Sequence, residues 1–336
     1  MWQRILVPLD GSALAERALG AATMLAQRIA YTRPAFEPLV ILFRAVDPSP
    51  WLDLAGEGAR TQAMGEATRY LQEKAATIRS EGLTVETAVR LGSPAEELLE
   101  QVLARQVDMV IMSTHGRSGL ARWALGSVAE RVARSAPVPV LLLPAAAPAT
   151  LTAGDTPGAT TPPRLLVPLD RSATAEAALP PAIELASLLQ AELRLLYVFV
   201  PKLEERSVEE TQRTWEAGSR RVHQIERYLQ RHAEAAQQAG ITIRWGIGFG
   251  LPGAKIIMDA HTHQVQVIVM TTQGRGGLVR WRLGRVAEEV IQQGQLPVLL
   301  VPSEVAAVDQ SREGRSPGTT TSAQEGDRLA EPDSEG

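Results

Sequence analysis

Short, wholly apolar runs alternate along this chain with longer segments in which apolar residues return every three or four positions. The first run, Arg4 to Leu9, predicts a buried strand that ends at Pro8 and the loop Asp10-Gly11-Ser12. Ser12 is placed to cap an Ala-rich helix reaching to about Ala30. Leu39 to Val46 predicts a second strand, followed by the loop Asp47-Pro48-Ser49-Pro50. Met64, Ala67, Leu71, Ala75 and Ile78 then form one helical stripe, which stops near Glu81-Gly82. Leu83 to Leu91 is a third strand. Pro94 opens a third helix, where its missing N–H costs nothing. Met109 to Met112 is a fourth strand, a helix resumes after Gly126-Ser127, and Val138 to Leu143 is a fifth strand.

The series then repeats. Gly116 and Gly274, Trp123 and Trp281, and Gly126 and Gly284 each stand 158 positions apart, as do Gly92-Ser93-Pro94 and Gly250-Leu251-Pro252. ILVPLD ending at Asp10 returns as LLVPLD ending at Asp170, 160 positions on. A duplication of domain size organises the chain. Second-copy strands are expected at Leu165–Leu169, Leu193–Val200, Ile241–Gly246, Val265–Met270 and Val298–Val301, with a longer second helix from about Glu204 to Ala239. Strands alternating with helices demand a largely parallel, doubly wound α/β sheet of five strands in each copy, with helices on both faces. The expected division is a first domain at 1–144, a linker at 145–163 rich in Pro, Ala, Thr and Gly, a second domain at 164–302, and a disordered acidic tail at 303–336.

Composition narrows the chemistry. Cysteine is absent, which excludes disulfides, thiolate zinc sites and cysteine nucleophiles. The start, MWQRILVPLD, has no signal-peptide pattern, and no apolar run approaches the roughly 18 residues of a membrane helix. A cytoplasmic protein without a membrane partner is expected. The net charge of −4 resides in the tail, whose eight acids and three arginines leave the remainder near +1. Such a balance gives no electrostatic argument for nucleic acid.

The stretch from Asp108 to Val128 carries the candidate chemistry. It runs from buried strand through a glycine loop to a helix start, where outward N–H groups and the helix dipole favour an anion. Gly116 and Gly126 allow close approach of a ligand. Ser127 suits either a cap or a phosphate oxygen, and a plain strand–loop–helix explains the same pattern. In doubly wound sheets ligands bind outside the carboxyl ends of the strands, where strand order reverses. The loops at Asp10, at Ala45-Val46 and at Ser113 to Gly126 all leave from that end.

These residues resemble the universal stress protein family in its tandem form. That family's nucleotide motif, Gly-x-x-Gly, nine residues, Gly-Ser/Thr, is matched by Ser113, Gly116, Gly126 and Ser127, with serine for the first glycine. The resemblance covers roughly Arg4 to Pro144 and Arg164 to Pro302. It implies ATP or another adenine nucleotide, with magnesium met through Asp10, held by Pro8, Leu9, Asp10, Ala45, Ser113, Gly116, Arg117, Gly126, Ser127 and Val128. A second, degenerate site is implied at Asp170, Val198, Thr271, Gly274, Gly284 and Arg285, where arginine replaces the hydroxyl. It further implies a stress-response regulator rather than an enzyme, with at most slow ATP hydrolysis. Intramolecular pseudo-dimerisation through the last strands or nearby helices is expected, along with a possible homodimer and an unknown protein partner. The alternatives are an interaction scaffold without nucleotide and a slow ATPase or autophosphorylating protein.

Other signals read more plainly. Gly248 to Gly253 spells G-x-G-x-x-G, but the acid that a dinucleotide site needs further on is missing. His261 and His263 are too close in sequence to share a helical face. His115 suits a ligand contact or a loop hydrogen bond, whereas His223 and His232 fall on the polar side of a long helix. Trp123 and Trp281 suit packing, and Arg117, Arg122, Arg275, Arg280 and Arg282 form a basic rim.

Overall fold

The computed structural model describes residues 2–47, 50–114, 125–147, 151, 162–200, 208–273 and 283–302, with the backbone alone at 50–56 and 208–218. The expected disordered tail lies outside the described residues. So do His115, Gly116, Arg117, Arg122 and Trp123 of the first loop, and Gly274, Arg275, Arg280, Trp281 and Arg282 of the second.

The first half runs β1 (Arg4–Pro8), α1 (Ala13–Thr32), β2 (Leu39–Val46), α2 (Pro50–Ser80), β3 (Thr84–Leu91), α3 (Pro94–Ala104), β4 (Met109–Ser113), α4 (Ser127–Ser135) and β5 (Val140–Leu143). The second runs β6 (Arg164–Leu169), α5 (Ala173–Glu176), α6 (Leu179–Leu189), β7 (Glu192–Phe199), α7 (Val208–Gln238), β8 (Ile243–Phe249), α8 (Pro252–Thr262), β9 (Val267–Thr271), α9 (Arg285–Gly294) and β10 (Val298–Val301). This is the doubly wound α/β arrangement that the alternation predicts.

The two five-stranded sheets join into one ten-stranded sheet ordered β3-β2-β1-β4-β5-β10-β9-β6-β7-β8. The seam is antiparallel, with Leu141 opposite Leu299, and the neighbouring pairs within each half are parallel. VLLL and VLLV are buried throughout, so their backbone groups need a partner strand, and each copy supplies the other's. One core lies on each face, and both continue across the seam. On one face α1 packs against α6, and Arg33 pairs with Glu184 at 2.9 Å. Leu151 of the expected linker is buried in that same core, and Ala147 is buried as well.

The copies differ in detail from the sequence expectation. The second helices are equal, 31 residues each, because α2 begins at Pro50, inside the expected loop. Proline is well suited to a first helical position. Strand β8 extends to Phe249 rather than ending at Gly246. Its glycines make room: a Cβ at Gly246 would stand 2.9 Å from the Arg194 guanidinium, and one at Gly248 would stand 2.6 Å from Lys255. The counterpart of α1 is broken into α5 and α6 at Ala177-Ala178, just ahead of Pro180, which lacks the N–H that would continue the ladder. Among the described residues no helix is long and apolar enough to cross a membrane.

Candidate functional site

Strand order reverses between β1 and β4, the position at which ligands of such sheets bind outside the carboxyl ends of the strands. Pro8 ends β1, and Leu9 turns inward, buried, with its N–H bonded to Phe43 O at 2.8 Å. Asp10 is half-buried and its Oδ1 accepts from Ser12 N at 2.9 Å, while Ser12 Oγ accepts from Ala15 N at 3.1 Å. The carboxylate therefore builds the turn that starts α1. Ala45, near the end of β2, is partly buried beside the crevice-side core.

Ser113 and Thr114 close β4 and are both buried. Thr114 N donates to Leu143 O at 3.0 Å, and Gly126 N donates back to Thr114 O at 2.8 Å, pinning the two ends of the loop together. Gly126 is the N-cap of α4 in extended conformation, and its O accepts from Glu130 N. Ser127 is thus the first helical residue rather than the cap. Its side chain is exposed, and Val128 is half-buried. The first-turn N–H groups of Ser127, Val128 and Ala129 have no acceptor within the helix, which is the general condition of a helix start. A Cβ-free cap, an exposed hydroxyl and outward amides suit an anion.

The second crevice keeps the frame and changes the fittings. Asp170 Oδ1 accepts from Ser172 N at 3.0 Å and from Ser172 Oγ at 2.5 Å. Gly284 N donates to Thr272 O at 2.7 Å, and Gly284 caps α9. Thr271 is buried and its hydroxyl donates to Gln273 O at 2.6 Å, so it holds its own loop. Val198 is partly buried, as Ala45 is. Arg285, at the position of Ser127, is exposed.

Two stretches of the chain, residues 1–144 and 163–302, each match the universal stress protein family. The chain belongs to that family. It is 31% identical over 147 residues to a universal stress protein of Methanocaldococcus jannaschii, covering 43% of this chain and 82% of the relative. A universal stress protein of Mycobacterium tuberculosis is 23% identical over 263 residues, covering 75% of this chain and 81% of the relative. Among solved structures, a universal stress protein from Archaeoglobus fulgidus superposes with a TM-score of 0.63 at 20% identity, over 89% of this chain and 96% of that one. The Rossmann-like tandem fold is therefore shared.

Beside each aspartate turn this universal stress protein carries a cluster that the sequence reading missed. Tyr70 of α2 donates to Glu16 Oε1 at 2.9 Å, and Lys74, one turn on, reaches Glu16 Oε2 at 2.7 Å. Arg44 of β2 lies 5.0 Å from the centre of the Tyr70 ring. The Lys74 ammonium holds the Glu16 carboxyl below its ordinary value, against the opposing pull of burial. Burial and the Glu16 carboxylate push the Tyr70 phenol well above its ordinary value. In the second half Glu176, Tyr228 and His232 stand 160, 158 and 158 positions from Glu16, Tyr70 and Lys74. The 158 offset is that of the glycine motifs, and the 160 offset is that of ILVPLD and LLVPLD.

His232 therefore needs correcting: it is half-buried, 3.7 Å from Glu176 and edge-on to Tyr228, rather than on a plain polar face. His223 is exposed beside Glu226. His263 Nδ1 sits 2.9 Å from Asp259 O, next to the buried bidentate Arg194–Asp259 pair, and His261 is exposed. In the G-x-G-x-x-G stretch Gly248 packs against Lys255 and Gly253 against Glu289, while Gly250 serves a left-handed turn at φ +126.

Proposed function

We propose that the first half of this protein binds an adenine nucleotide, ATP with magnesium, and acts as a cytoplasmic stress-response regulator. The observation that supports this reading most is exposed Ser127 at the start of α4, behind the Cβ-free cap Gly126, at the strand ends that also carry Asp10 and Ala45. Phosphates would rest on the amides of Ser127 and Val128 and on the Ser127 hydroxyl. Ala45 would face the base, and Asp10 would meet the ribose or the magnesium. Pro8 and Leu9 would support that turn, and Gly116 and Arg117 would complete the cradle. One rim carboxylate suits regulation better than hydrolysis. The second site (Asp170, Val198, Thr271, Gly274, Gly284 and Arg285) would be degenerate.

The same reading divides the chain into nucleotide domain 1–144, linker 145–163, second domain 164–302 and tail 303–336, with a protein partner responding to occupancy. Isothermal titration with ATP and magnesium tests it. Binding by the wild type, lost in Gly126→Val and kept in Gly284→Val, is the expected result. A wild type that releases no heat and no ultraviolet-absorbing base on denaturation would overturn it.

A further inference from the structure

The duplicated cluster pairs a carboxylate in the first helical turn after each strand-one aspartate with an aromatic hydroxyl and a cation from the long helix. In the first half, Glu16 lies on α1, four residues after its cap Ser12, and that cap is itself held by Asp10. Tyr70 and Lys74 on α2 both bond Glu16, so α2 grips the helix that the Asp10 turn starts. In the second half, Glu176 ends the four-residue helix α5, whose cap Ser172 is held by Asp170. The Tyr228 hydroxyl is buried and, unlike that of Tyr70, makes no hydrogen bond among the described residues, while burial and then the Glu176 charge push its phenol upward. His232 Nε2 stands 3.7 Å from Glu176 Oε1, and its ring meets Tyr228 edge-on at 4.8 Å.

We propose that Glu16–Tyr70–Lys74 and Glu176–Tyr228–His232 are two copies of one clamp that positions the Asp10 and Asp170 turns, and that the second copy is proton-gated because histidine replaces lysine. These are positioning residues. The proposed function enters only in saying what the turns are for, and the clamp is read without it.

Charge and architecture both favour gating in the second half. The first cluster has two permanent cations, Lys74 on the Glu16 carboxylate and Arg44 against the Tyr70 ring. In the second, β7 places Tyr197 in the same core as Tyr228, and α7 supplies His232. The groups against the imidazole are Glu176 from α5 and Tyr228 from its own helix, with Tyr197 of β7 packed on the same core and Asp170 and exposed Arg171 in the turn beyond. An imidazole changes charge between pH 5 and 8, whereas an ammonium does not. Moreover α1 is 20 residues long and buries seven of them, while α5 is a single turn cut off by the Pro180-Pro181 break. A lone turn depends more on its lateral tie. Protonated His232 pairs with Glu176 and steadies the Asp170 turn; as pH rises the pair is lost and the turn loosens.

The test is hydrogen–deuterium exchange of the nucleotide-free full chain, read by mass spectrometry on peptides spanning Asp10 to Glu16 and Asp170 to Glu176. Protection is compared at acidic and alkaline ends of the imidazole range after correction for intrinsic exchange. The second-half peptide is expected to be about twofold to fivefold better protected at the acidic end, the scale of a partly exposed ion pair, and the first-half peptide unchanged. His232→Lys removes the pH dependence, and Lys74→His confers it on the first half. Glu176→Gln, which takes away the carboxylate 3.7 Å from the ring, removes the dependence as well. A second-half peptide indifferent to pH, or a dependence that survives His232→Lys, would overturn the proposal. Because no ATP is present, failure here is separate from failure of nucleotide binding.

Discussion

After the strand-one aspartate the first half places Gly11 at φ +87, and the second places Arg171 at φ +68. Glycine adopts that left-handed turn freely, while an L side chain meets a cost of about 1–2 kcal/mol. The turn is nevertheless the same, with Asp Oδ1 on the serine amide and serine Oγ on the third helical amide in both halves. The capping bonds, rather than the glycine, therefore dictate this backbone. The lesson extends to the whole repeat. Backbone devices are shared by both halves, while side chains set upon them differ: Ser127 against Arg285 at the helix start, and Lys74 against His232 beside the aspartate turn.

The comparison can first be attacked at its shared frame. Leu25 and Leu185 are wholly buried on α1 and α6, in one core that crosses the seam. Truncating either to alanine is expected to cost about 2–5 kcal/mol. Because sheet and core are continuous, both variants should lower one common melting transition in calorimetry. Two separated transitions, each moved by only one of the variants, would mean that the halves unfold independently.

The fittings come next. Exchanging Ser127→Arg and Arg285→Ser tests whether the helix-start side chain separates the two crevices. Loss of a charge-assisted hydrogen bond of about 1.5–3 kcal/mol predicts that Ser127→Arg weakens ATP binding about tenfold or more by titration calorimetry. Arg285→Ser alone is expected to restore little, because buried Thr271 still holds its loop through Gln273. Full recovery in that variant would place the whole difference at one side chain.

Much of the frame was legible in the sequence because period and turn chemistry are local. β5 and β10 were plain as apolar runs, and packing of the copies through the last strands or nearby helices was expected, but nothing in VLLL or VLLV chose the strands or their antiparallel register. Pro180-Pro181 broke the helix as prolines do, and the analogy between copies hid it. The glycines of β8 suggested a strand end, whereas they clear space for Arg194 and Lys255. Gly126 and Ser127 were visible as a helix start, although which of them caps depends on backbone angles. Tyr70 and Lys74 flank an alanine-rich buried stripe and look like surface residues, because their partner Glu16 lies 54 and 58 positions away.

A spectroscopic prediction separates the tyrosines. Of the four, Tyr31 is exposed, while Tyr70 and Tyr228 are both pushed upward, first by burial and then by the carboxylate beside each. Phenols raised in the folded state favour folding below the ordinary phenol value, near pH 10, and that contribution is lost as pH rises above it. Ultraviolet phenolate titration should therefore show two tyrosines ionising only with alkaline unfolding. Ionisation of all four before any loss of circular dichroism would contradict the buried clusters.

The smallest effect isolates the first clamp. Lys74 lowers the Glu16 carboxyl, so the pair stabilises the folded state above the ordinary carboxylate range and that contribution fades as pH falls through the folded value. Both side chains retain about a third of their exposure, which keeps the pair within about 1 kcal/mol. Lys74→Met is expected to lose up to that amount in urea denaturation at neutral pH and almost nothing once Glu16 is protonated. The variant keeps the aliphatic stem against the Tyr70 ring, so a loss that persists unchanged in acid would belong to packing.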